Sequence, residues 1–279
     1  MTARILAFTA VLVVAFAAAA LAGRAIEPRG DETASRTDEK SDHVNPTATD
    51  TAHGAPVADP VRGLGVADDE LRVVVEQPEL RRGVTETLRF RIVDAGGETV
   101  RDFDVEHEKR MHLILARRDL TGFQHLHPTQ GPDGAWSARV KLDAAGSYRL
   151  FADFSRDETA RTLAADLRVD GAADLRPLPA PRATAVSDGG YDVRLDAVDS
   201  ELRFAVTRDG APVRTEPYLG AGGHLVALRE GDMAFLHVHP TGDGPSFAVD
   251  FPTPGRYRLF LQFKHEGRVQ TVAFTREER

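Results

Sequence analysis

The chain predicts an all-β fold of two tandem immunoglobulin-like or cupredoxin-like β-sandwich domains, preceded by an N-terminal hydrophobic helix and a disordered spacer. Three observations carry this expectation. First, one histidine pattern occurs twice: His112-Leu113, Arg117, Phe123-x-His125-x-His127-Pro128-Thr129, then His224-Leu225, Arg229, Phe235-x-His237-x-His239-Pro240-Thr241, every matched pair 112 positions apart. Second, Gly146-Ser147-Tyr148-Arg149-Leu150-Phe151-x-x-Phe154 returns as Gly255-Arg256-Tyr257-Arg258-Leu259-Phe260-x-x-Phe263, offset by 109. The change of offset is a loop difference between two copies of one unit, each of roughly 90 to 100 residues, the size of a domain and not of a solenoid repeat. Third, each copy breaks into short runs rich in β-branched and aromatic residues, separated by Gly, Asp or Pro, with no sustained helical period.

In chain order, residues 1–22 read as a signal peptide or membrane anchor. Arg4 gives a positive start, Ile5 to Ala22 is uncharged, and Ala20-Leu21-Ala22 fits a small-x-small cleavage site. A run of this length is also sufficient to span a bilayer, so residues 5–22 allow membrane anchoring as well as secretion. Either way the protein is expected to be exported and extracytoplasmic. Residues 23–66 are acidic, polar and poor in large apolar side chains, and are expected to form a disordered spacer. Residues 67–170 are the first sandwich repeat. Residues 171–187, with Pro177, Pro179 and Pro181 among alanines, form a semi-rigid linker, and residues 188–279 are the second repeat.

Within the first repeat, strands are expected at Leu71 to Glu76, Thr87 to Val93, His112 to Ala116, Trp136 to Leu142 and Ser147 to Phe154. In the second they are expected at Tyr191 to Ala197, Glu201 to Thr207, His224 to Leu228, Phe247 to Phe251 and Tyr257 to Phe263. Gly146-x-Tyr148-x-Leu150 and Gly255-x-Tyr257-x-Leu259 fit a tyrosine corner, in which a buried ring ties its hydroxyl to the preceding loop. That motif selects the sandwich architecture without fixing its topology.

Strand alternation places His125 and His127 on one face with Phe123, and Gln124 and Leu126 on the other. Leu236 and Val238 occupy that second face in the later copy, which marks it as the core side. The paired histidines therefore face away from most of the core, and Pro128 and Pro240 end the strand. His112 and His224 open a neighbouring strand from which a third imidazole can join each pair. The expectation is one metal cluster per repeat: His112, His125 and His127, then His224, His237 and His239. Two imidazoles two residues apart on a strand can reach one ion at about 2.0 to 2.1 Å, and three with an open position make an exchangeable site. There is no cysteine and so no thiolate ligand, which leaves copper or zinc, with Cu(II) ahead in the general affinity order. Glu106, His107, Glu108, Asp119, Asp232 and His265 are weaker candidates, because none is reproduced in both copies. Ligand imidazoles must be neutral, so affinity is expected to fall below a pH of about 6.5.

A structural alternative stands beside this one. A His-x-His-Pro at a strand end also serves to satisfy loop backbone groups, with duplication carrying it into both repeats. Arg117 and Arg229 read as structural residues that cap a loop or pair with a carboxylate. The net charge of −8 and the lack of a basic stripe exclude a nucleic-acid surface.

The combination His-Leu, Phe-x-His-x-His-Pro and Gly-x-Tyr-x-Leu-Phe-x-x-Phe, in two copies after an export signal, resembles a family of poorly characterised bacterial exported or membrane-anchored proteins. Some of them accompany copper or heavy-metal transport. The resemblance covers about residues 67 to 279 and implies an extracytoplasmic, metal-related role for His112, His125, His127, His224, His237 and His239. The His-x-His element is also similar to that of cupins, but the glutamate and distant histidine of their iron or manganese sites are missing. No nucleophile triad or phosphate loop is present, so an enzyme is not expected. The competing expectation is a non-catalytic cell-surface interaction or scaffold module whose histidines are structural and whose partner is a protein or the cell wall.

Overall fold

The computed structural model describes residues 61–279 except Asp199 and His237. The expected export segment, residues 1–22, and all but the last six residues of the expected spacer lie outside the described residues. Among the described residues no helix is long and apolar enough to cross a membrane. All described residues belong to one compact unit.

The first repeat contributes β1 Ala67–Asp68, β2 Leu71–Val75, β3 Glu79–Leu80, β4 Thr85–Val93, β5 His112–Arg117, β6 Gln124–Leu126, β7 Thr129–Gln130, β8 Trp136–Lys141, β9 Gly146–Arg156 and β10 Thr159–Val169. They form two five-stranded sheets, β1-β2-β4-β8-β7 and β3-β10-β9-β5-β6. The second repeat contributes β11 Thr184–Val186, β12 Asp192–Val198, β13 Glu201–Arg208, β14 Ala211–Pro212, β15 His224–Arg229, β16 Phe235–Leu236, β17 His239–Pro240, β18 Ser246–Ala248, β19 Gly255–His265 and β20 Arg268–Glu278. Its sheets are β11-β12-β13-β18-β17, with β14 beside β13, and β16-β15-β19-β20. Two tandem β-sandwiches of the immunoglobulin-like kind result, as the strand spacing predicts.

Two long strands, β10 and β20, are additions to the expected set. The Thr159–Val169 sequence carries Arg161, Asp166 and Arg168 among alanines, and this weak intrinsic strand preference is overridden by its full-length pairing with β9. The connecting turns make the hairpins tight. Asp157 and Glu158 both take positive φ, 51° and 59°, as do Glu266 and Gly267, 51° and 70°. This is the backbone a two-residue hairpin turn needs to match strand twist.

Each repeat has its own core. Leu113 and Leu115 of β5 pack inward with Phe90, Trp136 and Tyr148, and Leu225 and Ala227 of β15 pack inward with Phe204, Phe247 and Tyr257. Both tyrosines close the expected corner: the Tyr148 hydroxyl donates to the Ala144 carbonyl at 3.0 Å and that of Tyr257 to the Thr253 carbonyl at 2.7 Å. A third apolar cluster lies between the repeats. Ile114, Ala116 and Phe151, on the opposite face of β5 and β9, meet Val226, Leu228, Phe235 and Phe260 of the second repeat. The strands are therefore buried on both faces, and β5 has six buried residues in succession.

This interface has approximate two-fold character. Phe123 stacks on Phe260 with centroids 4.1 Å apart, and the equivalent pair, Phe235 and Phe151, meets at 5.5 Å. The expected linker also joins it: Leu178 is buried in the same cluster, and β11 within the expected linker already pairs with β12.

The end of the expected spacer threads between the repeats. Arg62 forms a bridge to Phe235, with the Phe235 N–H donating to the Arg62 carbonyl at 2.9 Å. On the other side the Gly63 N–H donates to the Thr162 carbonyl at 3.1 Å. Gly63 has a φ of +68°, and a Cβ there would stand 2.8 Å from Phe151 and 2.9 Å from Phe235. Gly63→Ala is therefore expected to cost roughly 1 to 3 kcal/mol through overpacking and backbone strain. Equilibrium denaturant unfolding checks this, and an unchanged midpoint would contradict the docked position of the segment.

Candidate metal centre

The histidines sit where the outward faces of β5 and β15 continue past the apolar cluster. Alternation puts His112 on the face of Ile114 and Ala116, and His224 on the face of Val226 and Leu228. His125 is paired directly with Ile114 across β6 and β5, so it faces the second repeat too. The expectation that the histidines face away from the sandwich cores holds. They face the other repeat.

His112, His125 and His127 converge, with one ligand nitrogen from each lying within 4.8 Å of the others. The rings of His112 and His125 are 5.2 Å apart, those of His112 and His127 5.1 Å, and those of His125 and His127 4.8 Å. His224 comes from the second repeat and stacks on His125 at 4.6 Å and on His112 at 5.6 Å. His107, one of the weaker candidates, is half-buried edge-on to His224 at 5.9 Å and to His112 at 6.2 Å. Five imidazoles thus gather at one place. His239 is exposed on β17, which pairs with β18 in the other sheet. His237 falls outside the described residues. Among the described residues the histidines thus make one group that draws on both repeats, and the expected set of His224, His237 and His239 includes a residue outside those described.

The other weak candidates have separate tasks. Asp119 takes the guanidinium of Arg117 at 2.5 Å, and Asp232 that of Arg229 at 2.5 Å, as expected of structural arginines. His265 bonds the Tyr191 hydroxyl at 2.9 Å. Glu106 contributes its backbone: in a tight turn where His107 and Glu108 take positive φ, its carbonyl faces Nε2 of His112 at 3.2 Å.

Hydrogen bonding decides which nitrogens are free. A carbonyl can only accept, so His112 Nε2 carries the proton and its Nδ1 is a bare lone pair when the ring is neutral. His125 Nδ1 lies 2.8 Å from Oε1 of Gln262, whose amide nitrogen donates to the Thr271 hydroxyl at 3.2 Å. With the amide so turned, His125 donates from Nδ1 and its Nε2 is bare. That Nε2 is 3.0 Å from His112 Nδ1, so two lone pairs face each other. On the third ring, Nε2 of His127 is buried without a hydrogen-bond partner. Hydrogen-bond acceptors behind two of the rings and an orphaned nitrogen on the third suit a metal ion, and closing the set on one ion takes side-chain adjustments on the order of 1 Å.

Electrostatics keep the rings neutral. Burial lowers the His112 pKa to about 4, against a partial offset from the Glu106 carbonyl. Burial, then the neighbouring His112, lowers His125 to about 3; burial, then Lys109, lowers His127 to about 4. His224 is held well below 6.5, again chiefly by burial. Proton competition in the metal-free protein therefore sets in near pH 4, below the 6.5 expected of ordinary histidines. Two polar residues went unnoticed in the sequence. Asp153 is directly opposite His112 across β9 and β5, and Gln262 directly opposite His224 across β19 and β15. They hold equivalent places in the Phe-x-x-Phe element, each the lone polar side chain among apolar neighbours, which was the available signal. Burial pushes the Asp153 carboxyl up to about 7, while the Thr162 hydroxyl donates to it at 2.7 Å.

The lowered histidine values have a sign that can be measured. Unfolded histidines bind protons from about pH 6.5 downward and the folded ones only near 4, so the unfolded chain takes up more protons in between and stability falls as pH falls. Asp153 acts oppositely, losing stability as pH rises from about 4 to about 7, but it is one group against four. The metal-free protein is therefore expected to show a falling unfolding temperature from about pH 6.5 to about 4. The double change His112→Asn and His125→Asn should flatten that slope, and a slope identical to the parent would contradict the burial of neutral rings.

Comparison with known proteins adds classification. A search of curated proteins finds no match. Among solved structures, the Escherichia coli adhesin FdeC is 15% identical over 75% of this chain and 64% of its own, with a TM-score of 0.28. A two-domain fibronectin type III segment of chicken tenascin is 11% identical over 76% and 100%, with a TM-score of 0.24. A putative membrane anchored protein from Corynebacterium diphtheriae is 10% identical over 75% and 59%, with a TM-score of 0.24. The chain thus spans less than two thirds of the FdeC chain. These values are too low to support an argument about function. Residues 66–171 and 185–278, the two sandwiches, match the family described as a domain of unknown function, DUF8832, and the chain belongs to that family.

Proposed function

We propose that this protein binds a divalent transition-metal ion, Cu(II) or Zn(II), at a single centre made by His112, His125 and His127, and that it acts as a binding protein and not as an enzyme. The observation that carries this reading is the convergence of three imidazoles, two with lone pairs left bare by their hydrogen bonds and the third with a buried, unpartnered Nε2. Burying such groups without a partner is costly, and a cation is the partner that satisfies all three at once. Three nitrogen ligands, no thiolate and an open fourth position describe an exchangeable site, with copper ahead of zinc in affinity order. The family description assigns no activity, so the metal-related role rests on these residues and on the resemblance carried by the repeated motifs. The exported setting rests on residues 1–22, where a signal or anchor precedes the sandwiches.

Titration of the tag-free, metal-depleted protein with Cu(II) and Zn(II) tests the proposal. About one equivalent should bind, as expected for a preformed three-histidine site. His112→Ala, His125→Ala and His127→Ala should each weaken that binding by at least about tenfold, while His239→Ala should leave it intact. A second equivalent lost in His239→Ala would restore a site in each repeat. Binding no tighter in the parent than in the three variants would remove the metal reading and favour the non-catalytic scaffold with structural histidines.

A further inference from the structure

The ligands of the proposed centre all come from the first repeat, yet one of them is held by the second. Gln262 is 8% exposed on β19 of the second repeat, and its amide oxygen meets His125 Nδ1 at 2.8 Å. An amide has two ends with opposite hydrogen-bonding character. With the oxygen toward His125, Nδ1 is the donor and Nε2 is free for a metal. Turned about, the amide would donate to Nδ1, the ring proton would move to Nε2, and Nε2 would then donate to His112 Nδ1, 3.0 Å away. That arrangement uses up two of the three metal-binding lone pairs. The amide is in the first orientation, its oxygen toward His125 and its nitrogen donating to the Thr271 hydroxyl at 3.2 Å. The stacking of His224 on His125 and His112 fixes the same rings from the same side of the interface.

We propose that Gln262 is the positioning residue of the metal centre: from the second repeat it sets the tautomer of His125, so metal binding is coupled to the docking of the two sandwiches. This inference rests on the metal reading above, and it makes the centre a latch across the interface. The coupling is reciprocal by linkage: a contact that tightens the ion when the repeats are docked also tightens the docking when the ion is present. Asp153, at the equivalent place in the first repeat, shows that the same framework accepts a carboxyl there.

Two substitutions in the full chain separate positioning from packing. Gln262→Glu offers only acceptors when ionised and must receive the Nδ1 proton, whereas Gln262→Met keeps the length and removes the hydrogen bond. Zn(II) affinity is expected to fall roughly 10- to 100-fold in Gln262→Met with stoichiometry unchanged, and to match or exceed the parent in Gln262→Glu. The ¹⁵N shifts of His125 in the metal-free protein should report the Nδ1–H tautomer in the parent and in Gln262→Glu, and loss of that preference in Gln262→Met. Gln262→Asn, one methylene shorter and so withdrawn from His125 Nδ1, should give a loss like that of Gln262→Met and provides a reading if Gln262→Met does not fold. Affinity and tautomer unchanged across all three variants, in a parent that binds metal through its histidines, would overturn the positioning role and leave the metal reading standing. Binding that is absent from the parent, or that survives replacement of His112, His125 and His127, would overturn both.

Discussion

The structure depends on the packing of one outward sheet face against another. Either sandwich alone could bury its inner face, but β5, β9, β15 and β19 also carry apolar side chains on their outer faces, and these are covered where the two repeats meet. Aromatic rings supply much of that cover, and stacked pairs add to the gain from area burial alone. The approximate two-fold relation between Phe123–Phe260 and Phe235–Phe151 follows from the duplication itself. Two copies of one surface that is complementary to itself make the same contacts in both directions. The segment at Arg62 and Gly63 then fills the seam, and only glycine fits where Phe151 and Phe235 close upon it.

The same burial that joins the repeats sets the chemistry of the histidines. An imidazole in water is half protonated near neutral pH, whereas a ring pressed between two sheets loses its hydration and holds no extra proton until far lower pH. The rings are neutral for this reason and not through any local cation, although Lys109 adds to the effect on His127. Neutral rings whose outer nitrogens meet the Glu106 carbonyl and the Gln262 amide oxygen have their remaining lone pairs already directed inward. The cost of organising the donors is met by the fold before any ion arrives.

Much of this was legible in the chain. Period-two alternation around His125 and His127 marked the face they share, and the structure puts Leu126 on the core side and Phe123 on the other, as that alternation requires. The tyrosine corners and the Arg117 and Arg229 ion pairs were readable because each depends on residues close in sequence. The union of the repeats was not. His125 and Gln262 are 137 residues apart, and nothing local indicates that their sheets meet. A duplicated sequence shows what each copy contains, but not which copy's residues meet, so the approach of His224 to His112 and His125 was hidden. The strands β10 and β20 were hidden for a related reason, since their pairing with β9 and β19 and not their composition makes them strands. The spacer signal, correct in composition, did not mark Arg62 and Gly63, whose order comes from backbone hydrogen bonds to both repeats.

An anomalous-scattering crystal structure of the protein loaded with Zn(II) tests the central claim most directly. The account predicts a single strong metal peak bonded to His112 Nδ1, His125 Nε2 and His127 Nε2, with Gln262 still bonded to His125 across the interface. A peak away from these nitrogens, or a fully loaded site with the two sandwiches separated, would contradict it.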